Sequence, residues 1–333
     1  MKDIISLDYG SGGKKTSALI EKMIVPLLRN DILNELGDSA LIPGAAKLSF
    51  STDSFVVSPA FFPGGNIGKL SVCGTVNDVS MGGGIPKYLS LSFIIEEGFE
   101  VEKLEQIIAS IGETAQKAGV SIVTGDTKVV ERGRGDGIYI NTAGIGFVKH
   151  DGLSPKKIRE NDIVLLSGTA GDHGAAVMLA RNENLVQGDI LSDCAPLNRM
   201  AEALMDLGSD LRVLRDPTRG GVATTLCEFV EGTDHSIELE EDAIPVAPAV
   251  QSACDILGLD PLYCACEGKL LAVTAPEKAE EALAIMHRFR EGENAAAIGR
   301  VCAEHAGHLV LRTAFGGSRV LTKLSGAQLP RIC

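Results

Sequence analysis

The stretch "NIGKLSVCGTVNDVSMGGG", beginning at residue 66, sets the tightest limit on what this chain can become. It reads as a helix built almost wholly from small side chains and closed by three glycines, which accept the backbone angles that end helices. Small side chains permit close backbone approach. The segment before it, "AKLSFSTDSFVVSP", alternates like a half-buried strand up to Pro59. After it, "YLSLSFII" reads as a strand. Val101, Leu104, Ile107, Ile108 and Ile111 then share one face of a helix, and "VSIVTGDTKVV" and "GIYINTAGIGFV" give two more strands. The amino-terminal half is therefore expected to be a helix-flanked sheet, preceded by a glycine loop, "GSGG", that opens a helix with Ile20, Met23, Ile24, Leu27 and Leu28 at helical spacing.

Around "KHDGLSPKKIREND", charge and a proline interrupt the apolar pattern and mark a linker near residues 149–162. Beyond it, "DIVLLSGTAGDHGAAVMLA" reads as strand, glycine turn and helix. "LRVLRDPTRGGVATTLCEFV" repeats that order, and "LYCACEGKLLAVT" with "PEKAEEALAIMHRF" repeats it again. At 333 residues the chain exceeds what one core usually organises. The expected class is α/β (α+β) in two domains, 1–150 and 151–315, followed by a tail, 316–333, that ends in cysteine. An aromatic content of 4% with no Trp leaves the core to aliphatic side chains.

The excess of 44 acidic over 31 basic residues, a formal charge of −13, disfavours nucleic acid and anionic lipid as partners. No apolar run approaches the roughly 18 residues of a spanning helix, and "MKDIISLDYG" lacks the features of a secretion signal, so a cytoplasmic location is expected. The eight cysteines lack the spacing of a disulfide scaffold and read mostly as small core residues. Cys264 and Cys266, and His305 and His308, have zinc-like pairings, but a structural role fits them better.

Four aspartates, Asp38, Asp53, Asp78 and Asp126, fall at strand ends or within the small-residue helix. Singly each is an ordinary cap or turn residue; together they can converge at one sheet edge. Two carboxylates within 4 Å would repel by about 4 kcal/mol at an effective dielectric near 20, which a hard divalent cation relieves. Mg²⁺ is commonly held by one or two carboxylates together with substrate phosphates. The loop holding Gly12 and Gly13, with Lys14 and Lys15, could meet those phosphates, although the usual phosphate-loop spacing fails because Asp8 and Lys15 stand where Gly and Ser or Thr are required. Arg219, before two glycines at a helix start, suits an anion or simply a helix entry. Lys128 and Glu267 are partly buried ion-pair members by default, and proton acceptors if their pKa values lie near neutrality.

Cys333 is the last residue. Its own α-carboxylate disfavours the thiolate, so it suits a carrier presented to active sites better than a self-activating nucleophile. The 17 residues from Gly316 could reach about 60 Å when extended. A prenylated cysteine would stand fourth from the end. An incidental cysteine on a frayed terminus stays equally open on these residues alone.

The motifs "GSGGKKTSALI", "STDSFVVSPAFFPGGNIGKLSVCGTVNDVSM", "VTGDTKVV", "DPTRGGVATTL", "CEGKLLAV", "TAFGGSRVL" and the terminal "LPRIC" together resemble the HypE family of hydrogenase maturation factors, carbamoyl dehydratases of the PurM-like, aminoimidazole ribonucleotide synthetase-related superfamily. The resemblance runs through nearly the whole chain. It implies an amino-terminal sheet domain that dimerises as a barrel, a carboxy-terminal α/β domain with a flexible tail, and ATP with Mg²⁺ in a cleft at the dimer interface. By similarity Asp38, Asp53, Asp78 and Asp126 would hold metal and phosphates. Gly12, Gly13, Lys14, Lys69 and Arg219 would join them around the nucleotide, and Lys128 and Glu267 would handle protons beside Cys333. A carbamoyltransferase, HypF, would load Cys333, and a HypC–HypD scaffold would receive the cyano group for a nickel-iron centre. Gly37 and Asn66 stand where relatives often carry acids, which leaves the number of metal ions open. The alternatives are another ATP-using synthetase of the superfamily, such as a selenophosphate synthetase, or a docking module that only carries the thiol.

Overall fold

The computed structural model describes residues 3–333 except 12, 38, 182–189, 325, 327, 328 and 330. Its first sheet has four strands, β1 (Leu48–Phe55), β2 (Gly84–Glu96), β3 (Ser121–Val130) and β4 (Ile138–Val148), in the order β1-β4-β2-β3. β2 and β3 run parallel and the other pairs antiparallel. One face is packed and the other open, as the alternating burial of β1 and β4 shows.

Helix α1 (Ile67–Met81) covers the packed face, and its small residues are what allow it. A side chain at Gly74 would meet the Phe55 ring at 2.8 Å, and one at Gly68 would meet the carbonyl of Ile107 at 2.4 Å. Asn66 caps the helix, its Oδ1 accepting the amides of Gly68 and Lys69 at 2.9 and 3.1 Å. Helix α2 (Val101–Ala118) buries Leu104, Ile107, Ile108, Ile111 and Ala115 and ends at Gly119, φ 74°. The amino-terminal helix comes in three pieces, Lys14–Leu19, a wide turn over Ile20–Ile24, and Val25–Leu28, where Pro26 has no amide to donate.

The second sheet has seven strands: β5 (Ile163–Leu166), β6 (Leu211–Arg215), β7 (Ser236–Glu240), β8 (Leu271–Thr274), β9 (Ala296–Cys302), β10 (Leu309–Arg312) and β11 (Ser318–Leu321). They run in the order β11-β10-β7-β9-β5-β8-β6, and only β10 and β7 pair in parallel. The sheet thus takes in Ser318–Leu321, within the stretch expected to be tail. Helices α3 (Asp172–Arg181) and α4 (Gly221–Val230) follow β5 and β6, as the repeated strand–turn–helix pattern anticipates. The third repeat differs: the strand is only Leu271–Thr274, and "CACEG" before it is buried loop.

Asn77 on α1 joins the two units. Its Nδ2 donates to the Ala195 carbonyl at 3.1 Å and its Oδ1 accepts the Leu197 amide at 2.8 Å. No helix among the described residues is long and apolar enough to cross a membrane.

Candidate active site

The last three residues lie in the seam between the two units. The amide of Val56 donates to a carboxylate oxygen of Cys333 at 3.1 Å and that of Ser58 to the Arg331 carbonyl at 3.3 Å, so the tail adds to the chain just beyond β1 like a short strand. Ile332 is buried in the amino-terminal core. The Arg331 guanidinium donates to the Val56 carbonyl at 2.9 Å and pairs with Asp136.

A cavity of about 150 Å³ opens at the thiol, lined by Asp53, Asp78, Asp216, Arg219, Glu267 and Cys333 among others. Each reaches it by a different route. Asp53 points from the packed face of β1, and Gly74 on α1 leaves it room. Asp78 lies one turn further along α1, where its Oδ2 accepts the Ser51 hydroxyl at 2.7 Å. Asp216 and Arg219 come from the turn between β6 and α4, which depends on Gly220 and Gly221 at φ 80° and 61°. Glu267 comes from the buried loop before β8. Its amide donates to Asp193 Oδ1 at 3.0 Å, and the adjoining Gly268 passes so close that a Cβ would lie 1.8 Å from the Asp193 carbonyl.

Burial and like charge dominate the electrostatics. Desolvation, then the nearby Asp78, raise Asp53 to about 6 and Asp216 to about 7. Burial pushes Glu267 well above the ordinary carboxylate range, reinforced by Cys194 and Asp216. Glu267 Oε1 is buried without a hydrogen-bond partner. Burial, then Glu267, push the Cys333 thiol up to about 12, against the pull of Arg219. A docked thiol is therefore a poor nucleophile and a protected carrier.

The expected constellation divides in two. Asp53, Asp78, Arg219, Glu267 and Cys333 share the thiol cavity. A larger cavity of about 320 Å³ lies between the amino-terminal helix and the far edge of the same sheet, lined by Thr16, Ser17, Gly37, Ser39 and Asp126 among others. Asp126 pairs across β2 with Ser92, in the row of Asn141 and Ser54, whereas Asp53 belongs to the row of Thr142 and Leu91. The two carboxylates thus belong to opposite faces of the sheet, and three strand spacings of about 4.8 Å separate their backbones by about 14 Å. Lys128 is exposed and bonds to Asp126 Oδ1 at 2.9 Å, holding that carboxyl below its usual range. Lys14 is exposed at the helix start behind Gly13, and Lys69 spans back to the Gly64 carbonyl at 2.9 Å, so neither lines the thiol cavity. Gly12 and Asp38 lie outside the described residues. Asp216 was not among the sequence candidates, although it opens the same "DPTRGG" motif as Arg219; its position just after a strand was the available signal.

Residues 36–148 match the family model of the AIR synthase related protein N-terminal domain, and residues 159–312 that of the C-terminal domain. Carbamoyl dehydratase HypE of Rhizobium leguminosarum bv. viciae is 48% identical over 99% of this chain and 95% of its own length. Its namesake in Escherichia coli K12 is 44% identical over 99% of both. A solved structure of hydrogenase maturation protein HypE in complex with ATP superposes with a TM-score of 0.94 at 48% identity, covering 98% of this chain and 99% of that one. A HypE–HypF complex matches with a TM-score of 0.80 at 48% identity, over 92% of this chain and all of that one. Thiamine monophosphate kinase from Aquifex aeolicus, at 19% identity and a TM-score of 0.62, shares the fold alone. A terminal cysteine seated among buried acids, on two AIR synthase-related domains, and near-half identity over the full length place this chain in the HypE family of carbamoyl dehydratases.

Proposed function

We propose that the chain dehydrates a carbamoyl group carried on Cys333, using ATP, to leave a thiocyanate for delivery as cyanide to a nickel-iron hydrogenase centre. The observation that carries this reading is the terminal sulfur docked in an acid-lined cavity beside a buried glutamate whose Oε1 has no hydrogen-bond partner. An amide oxygen is a poor leaving group. Transfer of the γ-phosphoryl group of ATP to it makes it depart as phosphate, while the nitrogen loses both protons as the nitrile forms. The products are thiocyanate, ADP, phosphate and one net proton. Glu267, in its ionised form, is our proton acceptor: its raised pKa suits uptake, and Oε1 has no competing bond. Burial of the tail keeps water from the activated oxygen.

Mg²⁺ fits these residues as a partner of phosphate rather than as a caged ion. Among the described residues no three His, Cys, Asp or Glu side chains converge to hold a metal by themselves. Asp53, Asp78 and Asp216 share one cavity, and two have raised pKa values that a cation would lower. Bound there, Mg²⁺ would neutralise phosphate charge during transfer.

We assign the nucleotide to the larger cavity and the completed site to a homodimer. The open sheet face exposes Leu48, Phe50 and Ile94, beside partly buried Tyr88, Ile145 and Phe147, an apolar patch of the kind that a partner covers. Asp126 and Lys128 stand on that face and would enter the chemistry only across it. HypF is our assigned source of the carbamoyl group and HypC–HypD our assigned acceptor. Intact-mass spectrometry decides the function: after loading by HypF, addition of MgATP should remove the mass of one water from the protein. A passive carrier would keep the carbamoyl mass.

A further inference from the structure

One buried titratable group takes no part in that chemistry. His173, on α3, is shielded completely from solvent, yet both its ring nitrogens are engaged. Nδ1 lies 2.7 Å from Ser192 Oγ, and Nε2 lies 2.8 Å from the carbonyl oxygen of Ile332. A carbonyl oxygen only accepts, so Nε2 carries the ring proton. Ser192 Oγ accepts the Cys194 amide at 3.1 Å, which leaves its own hydroxyl proton for Nδ1. The relay from Cys194 through Ser192 and His173 to Ile332 therefore runs in one direction only. Burial lowers the ring's pKa and keeps it neutral, and the edge-on contact with Phe62, centroids 5.3 Å apart at 89°, holds its plane.

We propose that His173 is the positioning residue that seats the terminal cysteine, gripping the main chain one residue before the sulfur in a tautomer set by Ser192. The other contacts to the last three residues are also made largely to backbone: Val56 and Ser58 amides, and Arg181 Nη2 on the Arg331 carbonyl at 2.5 Å. Arg331 sits at φ 51°, a region that costs a non-glycine residue energy, so the seated tail needs several anchors to hold it. Because these contacts are to backbone and to Ile332 rather than to the sulfur, they serve a free, carbamoylated or cyanated Cys333 alike. The proposal deepens the reading of Cys333 as the group acted on in this cavity, and it can be tested without turnover.

The full-length protein is treated with iodoacetamide at pH 8 under native conditions, and labelling is mapped to each cysteine. Docked Cys333 is half-buried in its cavity and held protonated there, so labelling reports chiefly the undocked fraction. His173→Phe removes the donor and leaves the Ile332 carbonyl buried and unpaired, so Cys333 should label roughly ten- to a hundred-fold faster. His173→Gln, whose amide can reach the same carbonyl, should restore most of the protection, and Ser192→Ala should give an intermediate rate. Cys73 and Cys227, both buried, must stay unlabelled as the control for folding. Should the Phe variant fail that control, the Ser192→Ala rate decides. In carbamoyl-loaded protein the Phe variant should convert more slowly with an unchanged KM for ATP. Equal labelling in wild type and the Phe or Ala variant, or a Gln variant as fast as the Phe variant, overturns the proposal. Protection lost in the Phe variant with no water loss in any protein would instead leave the latch standing and refute the dehydratase reading.

Discussion

Replacing Asp216 by Asn should make the metal-free protein more stable while lowering its activity. The carboxyl is buried and lies near Asp78 and Asp53, and its pKa rises from 3.8 to about 7. At about 1.4 kcal/mol per unit, keeping it ionised above pH 7 costs the fold about 4 kcal/mol relative to the unfolded chain. An amide of the same shape carries no charge but remains a buried polar group with imperfect partners, which returns about 2 kcal/mol of that gain. The net stabilisation of roughly 2 kcal/mol corresponds to a melting shift of roughly 5 °C for a unit of this size. Between pH 4 and 7 the native protein holds the extra proton, so wild type loses stability as pH rises through that window and the variant does not. Thermal melts in EDTA at pH 5 and pH 8 read this directly: the variant should melt about level with wild type at pH 5, where the ionisation cost is only about 2 kcal/mol and the buried amide cancels it, and above wild type at pH 8. ATP turnover with Mg²⁺ should fall at least about tenfold, the scale of one lost charge-assisted contact. A variant that melts at or below wild type at pH 8, or by the same margin at both pH values, would refute the electrostatic account of this cavity.

ATP turnover should vanish in EDTA and return with Mg²⁺, and Asp78→Asn should lose it in either case; unchanged turnover in that variant would remove Asp78 from the site. Glu267→Gln should accept the carbamoyl group from HypF yet show no loss of water by intact mass, because the amide cannot take up a proton. Phe50→Glu places charge on the open sheet face, and light scattering should then report a monomer with little turnover. A dimer that survives would put the interface elsewhere.

The amino-terminal half was legible because its signals are local. The spacing of Leu104, Ile107, Ile108 and Ile111 marks a helix face whatever surrounds it, and the small residues of 67–81 announce close packing on more than one side. Asp53, Asp78, Arg219, Glu267 and Cys333 were readable as candidates because strand ends and glycine turns are where side chains meet ligands. "CACEG" misled because buried apolar residues in a loop look like a strand when no period tells them apart.

Residue order alone determined two α/β units, an acidic surface, a thiol on the final residue and the acids that could serve it. It could not say which acids meet. A register shift at Val123, opposite Leu89 and Ser90, turns Asp126 and Lys128 to the face away from Asp53, and a slip of one residue would reverse that. His173 and Asp216 were hidden for a related reason. Each owes its role to partners far away in the chain, Ile332 for one and Asp53 and Asp78 for the other, and such meetings exist only once the sheets have packed.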